Sequence, residues 1–132
     1  MALVKTPKLL WTDCGLAAAL AGVKSPAEAT TRPDAGFWLE QTLFQTLQTW
    51  RALDPLRRRI HFWRDRPGHE VDFVLERGQR LVAIEVKSGS VPKKLAGMDA
   101  FEKGFGDCRR LAIGDGGIPL AEFLSYPAEH WF

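Results

Sequence analysis

Glu70-Val71-Asp72-Phe73-Val74-Leu75 and Leu81-Val82-Ala83-Ile84-Glu85-Val86-Lys87, joined by Glu76-Arg77-Gly78-Gln79-Arg80, decide the fold. Both runs are rich in β-branched residues and the linker is short and carries a glycine. They predict two adjacent antiparallel strands. Residues two apart in a strand share a face. Glu70 and Asp72 therefore face one way, as do Glu85 and Lys87, while Val71, Phe73, Leu75, Val82, Ile84 and Val86 fill the other side. A hairpin closed around Arg77-Gly78 sets Asp72 opposite Ala83 and Glu70 opposite Glu85. A two-residue slip sets Asp72 opposite Glu85, and either register keeps all four charged groups on one side. Three neighbouring carboxylates repel one another, so the pattern calls for a compensating charge. A divalent cation is the natural candidate, and hard carboxylate oxygens suit Mg²⁺ or Mn²⁺.

Working outward, Arg59-Ile60-His61-Phe62-Trp63-Arg64 predicts a strand before the pair, turned by Asp65-Arg66-Pro67-Gly68. Pro92 is expected to open a helix with the apolar stripe Leu95, Met98, Phe101 and Phe105. Arg110-Leu111-Ala112-Ile113 reads as a fourth strand, Gly114-Asp115-Gly116-Gly117 as a turn, and Leu120–Leu124 as a last short helix. Upstream, Asp13 is a plausible N-cap for a helix through Leu16-Ala17-Ala18-Ala19-Leu20-Ala21, stopped by Gly22. Lys24 to Asp34 reads as a loop. From Ala35 to about Leu53, Phe37, Leu39, Leu43, Phe44, Leu47 and Trp50 fall on one helical face, with Asp34 as cap and Pro55 as stop. The expected class is α/β: a mixed central sheet of about four strands flanked by helices on both faces, with an α-β-β-β-α-β core.

The chain has 132 residues, 45% hydrophobic and 26% charged. That fits one globular domain and excludes wholesale disorder. Five Trp and eight Phe supply a core without disulfide staples, and two isolated cysteines make neither a disulfide framework nor a zinc site. No apolar run is long enough to span a membrane and the N-terminus lacks a leader pattern, so a cytoplasmic protein with no membrane partner is expected. The formal charge is only +2, but five arginines (57, 58, 59, 64 and 66) crowd one strip. Such a strip attracts phosphates, or it is a solvated edge strand whose long side chains shield the rim. His61 and His69 read as ordinary strand and turn residues, and His130 as part of a mobile tail.

Glu40 sits within the apolar stripe of its helix, with Phe37, Leu43, Phe44 and Leu47 as helical neighbours. A lone carboxylate there needs a partner. It lies at an edge, is held by structural hydrogen bonds, or leans into the carboxylate site on the strands. An acid on one strand, Glu-x-Lys closing the next and a helical Glu upstream form an uncommon combination. The set Asp72, Glu85-Val86-Lys87 and Glu40 resembles the restriction-endonuclease-like PD-(D/E)xK nuclease superfamily. A closer resemblance rests on Lys5-Thr6-Pro7-Lys8-Leu9, Asp13-Cys14-Gly15-Leu16, Phe62-Trp63-Arg64, Gly68-His69-Glu70-Val71-Asp72-Phe73-Val74-Leu75-Glu76 and Ile84-Glu85-Val86-Lys87. Together these are similar to the C-terminal domain of uncharacterised function carried by bacterial and archaeal AAA-type ATPases. Two departures stand out: Cys14 replaces a small hydroxyl residue, and no Gly-x-x-x-x-Gly-Lys-(Ser/Thr) occurs, so the ATPase is missing from this sequence.

The resemblance implies a single nuclease-like domain over residues 1–132, its first 34 residues forming an N-terminal helix and loop. It implies metal-dependent hydrolysis of phosphodiester bonds in DNA or RNA. Asp72 and Glu85 would hold Mg²⁺ or Mn²⁺, with the Val86 carbonyl as a third ligand and Glu40 on the metal or its waters. Lys87 would position the nucleophile or stabilise the transition state, and Glu70 is a spare acid. Arg59, Trp63 and Arg64 would engage the nucleic acid. The alternative is a non-cleaving docking or regulatory module for an ATPase or a nucleic acid, since fold does not imply activity.

Overall fold

The computed structural model describes residues 8–54, 56 and 58–132. Pro55 as helix stop, Arg57 in the basic strip and the Lys5-Thr6-Pro7 block lie outside the described residues. The chain runs α1 (Cys14–Leu20), α2 (Pro26–Thr31), α3 (Ala35–Leu53), β1 (Arg59–Arg64), β2 (Glu70–Arg77), β3 (Arg80–Ser90), α4 (Ala96–Phe105), β4 (Arg109–Asp115) and α5 (Leu120–Ser125), and ends in a 3-10 turn over Ala128–Trp131. The strands form one mixed sheet in the order β1-β2-β3-β4. β1, β2 and β3 are successively antiparallel, and β4 returns parallel to β3 after the α4 crossover. The α/β class and the antiparallel pairing of the two central strands are as expected. Among the described residues no helix is long and apolar enough to cross a membrane.

Each face of the sheet carries its own core. On one, Leu43 and Leu47 of α3 and Phe123 of α5 pack on Phe73, Leu75, Val82, Ile84, Leu111 and Ile113. On the other, Met98 and Phe101 of α4 cover Val71, Val74 and Ala83. Stacking of Phe44 on Phe73, with centroids 6.3 Å apart, aligns α3 with β2. Apolar burial of this kind contributes roughly 25 cal/mol per Å², so two covered faces make the sheet the stable centre of the molecule.

Several boundaries differ from the sequence reading. Lys24–Asp34 is not all loop, because Ser25 caps α2 by accepting from the Glu28 amide, Pro26 pre-sets the first turn, and Glu28 accepts from the Lys24 amide. Asp34 does not cap α3 with its side chain; it pairs with Arg32. Phe37 is exposed, and Trp38 and Gln41 take the buried positions. Pro92 does not open α4, which starts at Ala96, because the Val91 amide is still bonded to the Asp115 carbonyl of β4. His130 is in no loose tail: its ring stacks on Tyr126, and neighbouring Trp131 is buried against Phe123. Arg58 leaves the basic strip for the interior, where it pairs with Asp54 and Glu129.

Two irregularities in the sheet matter most. Arg77 pairs with Arg80 across a two-residue loop at Gly78 (φ +60°), so Phe73 lies opposite Ile84. This is the slipped register. On the β1 side, His61 lies opposite Val74 but Trp63 opposite Val71, so Asp72 and Phe73 together face the single Phe62. That is a bulge, and it breaks the alternation: Val71 joins the α4 core rather than the side of Phe73. On β3, Val86 pairs with Ile113 and Ser90 with Asp115, which leaves Lys87, Ser88 and Gly89 bulged against Gly114.

The close approach of α4 to this region depends on Gly97. A Cβ there would stand 1.9 Å from the Glu70 carbonyl oxygen and 3.0 Å from a Glu85 carboxylate oxygen. Gly97→Ala should therefore lower stability by about 1–3 kcal/mol or more, measured by urea denaturation. Gly104→Ala, where a Cβ meets open space, should be neutral or slightly stabilising.

Candidate active site

Asp72 is placed by the β2 bulge and is 8% exposed. Ladder pairing of β2 with β3 ends at Phe73–Ile84, and beyond it one Asp72 oxygen accepts from the Val86 amide at 2.9 Å. The carboxylate thus takes the place of a backbone carbonyl where the strands part, beside the Glu85–Val86 peptide. A charge-assisted hydrogen bond of this kind is worth about 1.5–3 kcal/mol. The other Asp72 oxygen lies 3.4 Å from the Lys8 ammonium. Lys8 also pairs closely with Glu40 of α3. Glu40 is thus neither a surface residue nor alone: it shares one cation with Asp72.

Glu85 is 5% exposed and belongs to a second pair. One of its oxygens lies 3.1 Å from the Lys87 ammonium, and the other faces the start of α4 at Gly97. Glu70 bonds Arg64, whose Nε donates at 2.9 Å. All four acids are therefore held in ion pairs. They resolve into Glu40–Lys8–Asp72, Glu85–Lys87 and Glu70–Arg64, and the Asp72–Val86 hydrogen bond ties the first to the strand of the second. Among the described residues no group of three or more His, Cys, Asp or Glu side chains is set to hold a metal ion together.

A cleft of about 200 Å³ opens along Lys8, Trp63, Arg64, Glu70 and Asp72. Trp63 and Arg64 thus border the acids. Arg59 lies at the other end of β1, opposite Glu76. The Trp63 ring is partly buried, edge-on to Phe101 and Phe105, and Arg64 is engaged by Glu70. β1 is an edge strand, which fits the rim-shielding reading of its arginines. His61 contacts Glu76, and His69 contacts Asp65.

Lys8, Gln41 and Gln45 join the site only in the folded chain. Gln41 is fully buried and holds the Trp11 backbone from both sides, accepting from its amide at 2.8 Å and donating to its carbonyl. Gln45 accepts from the Cys14 amide at 2.6 Å. These amides fasten residues 8–14 along α3 and so deliver Lys8 to the acids. The available signal was Gln41 itself, an amide three residues after Trp38 on the helix's buried side.

Electrostatics at the site are opposed. Burial by itself lowers the Lys8 pKa, but the hydrogen bonds and charges of Glu40 and Asp72 prevail and raise it. Burial raises the Glu40 pKa, Asp72 and Glu70 push it the same way, and Lys8 only partly offsets them. A carboxylate with a raised folded-state pKa binds more protons folded than unfolded. Stability should therefore fall as pH rises from the ordinary glutamate range through the raised value. Glu40→Gln should flatten that part of the stability–pH curve, measured by urea midpoints between about pH 4 and 7.

The family described as "Domain of unknown function (DUF4143)" matches residues 35–125, from the first residue of α3 to the last of α5, more than two thirds of the chain. No curated protein and no solved structure matches. The matched span carries Glu40, Asp72, Glu85 and Lys87 but stops short of Lys8. On that span, the chain belongs to the DUF4143 family.

Proposed function

We propose that this domain is a metal-dependent phosphodiesterase acting on DNA or RNA, with a restriction-endonuclease-like arrangement of its acids. The observation that carries the reading is the Asp72 carboxylate, buried at a bulge, seated on the Glu85–Val86 peptide and sharing a counter-ion with Glu40. Bulges of this kind re-aim side chains next to active sites, and a second one begins at Lys87. Glu40 and Asp72 already reach one cation, and their hard oxygens fit Mg²⁺ or Mn²⁺ in kind. Glu85 would join them by turning from Lys87, with the Val86 carbonyl alongside.

A bound divalent cation supplies an acidified water and offsets charge at phosphorus. Asp72, Glu40 and Glu85 would hold it, and Lys87, once released by Glu85, would neutralise negative charge on the phosphate oxygens. The cleft is small for a ligand pocket, which suits a strand crossing an open groove better than an engulfed nucleotide. Arg64 and Trp63 at its rim supply backbone contact and a stacking edge.

A second reading has its own observation: every acid of the site already has a cationic partner. A domain balanced in this way can serve as a docking or regulatory module for an AAA-type ATPase or a nucleic acid without cutting.

Calorimetric Mn²⁺ titration and cleavage of single-stranded, duplex and branched substrates distinguish the two. On the nuclease reading, Asp72→Ala or Glu85→Ala abolishes metal uptake and cleavage. Lys87→Ala keeps metal uptake and loses about a hundredfold or more in turnover. Wild-type protein that takes up no Mn²⁺ at millimolar concentration and cuts no substrate leaves the docking reading.

A further inference from the structure

The Glu40–Asp72 pair carries two negative charges, and among the described residues the cation in contact with both is delivered from 64 residues before Asp72. Lys8 is not held there by its charge alone. Gln41 grips the backbone of Trp11 three residues on, Gln45 grips Cys14, and Asp13 caps α1 behind them. The Lys8 side chain remains 38% exposed while Asp72 is 9% and Glu40 20% exposed. The cation is therefore the solvent-facing lid of the pair. A flexible lysine stem can swing into the adjoining cleft without undocking its backbone.

We propose that Lys8 is the built-in counter-ion of the Glu40–Asp72 pair, and that a divalent cation enters only as the Lys8 ammonium leaves. This rests on the reading of Glu40 and Asp72 as metal ligands. An ammonium and a divalent cation cannot both contact the same carboxylate oxygens without strong like-charge repulsion at a few ångströms. In the resting form the lysine relieves the repulsion between the acids. In the metal-bound form it is displaced into the cleft beside Arg64, where a phosphate group would meet it. The lysine then sets a threshold for metal and lowers apparent affinity in the absence of nucleic acid.

The test uses MnCl₂ alone on the whole chain. In calorimetry, Lys8→Met binds Mn²⁺ about tenfold or more tightly than wild type, whereas Lys8→Arg, which keeps the charge, stays at the wild-type affinity or below. A second measurement needs no variant. Acetic anhydride labelling of Lys8 in wild-type protein, read by mass spectrometry, rises as Mn²⁺ is added, while labelling of Lys93 and Lys94 does not. Mn²⁺ uptake of equal affinity in wild type and Lys8→Met, with Lys8 labelling unchanged, overturns the counter-ion role and leaves the metal site standing. No uptake by either protein overturns both.

Discussion

Past Phe73 and Ile84, β2 and β3 no longer pair through their backbones, and the amide of Val86 needs another acceptor. A buried amide without one would cost about 1–3 kcal/mol, and Asp72 supplies the oxygen. Much of the surrounding geometry follows from that substitution. The bulge that frees the Asp72 side chain sends Val71 to the α4 core and keeps Phe73 under Phe44. It also leaves the Glu70 carbonyl where only a glycine can pass over it, at Gly97. The sheet is thus locally opened between the two strands that carry the acids, and a side chain closes the opening.

Placing Glu40, Glu70, Asp72 and Glu85 in one region raises an electrostatic problem that three basic side chains answer locally. Arg64 answers Glu70 from the edge strand, Lys87 answers Glu85 from two residues along, and Lys8 answers Glu40 and Asp72 from the N-terminal segment. Pairs of this kind contribute little to stability when exposed, but removing one partner from a buried pair is costly. Asp72 and Glu85 are the buried members, which makes their partners Lys8 and Lys87 the groups whose loss the fold would feel. In this structure the same partners supply positive charge beside the carboxylates.

The N-terminal segment shows how a polar core position can place a charged side chain at a distance. Gln41 is buried on α3 near Trp38, and its amide bonds the Trp11 backbone as a strand partner would. Both of its hydrogen-bonding ends are thereby satisfied, the condition under which a buried amide is tolerated. The outcome is a docked segment rather than a trailing one, with a lysine over the acids.

What the sequence determined by itself is the part carried by periodicity and composition: the class, the two central strands, the long α3, and the residue types Glu40, Asp72, Glu85 and Lys87. Alternation at period two and apolar spacing of three and four encode which element forms and roughly where, and they hold whatever the partners are. The register was legible only as a choice of two, because a two-residue slip preserves facing. Only the tertiary structure decided between them, and only it placed the bulge at Asp72, the glycine contact at Gly97 and the salt bridges of Lys8. The physical reason is separation along the chain. A bulge answers to packing on both faces of a sheet at once, and an ion pair between residues 8 and 72 exists only after α3 and the sheet have brought them together. A local pattern can name the charged groups, but which of them meet is set by the packing of elements that the pattern does not connect.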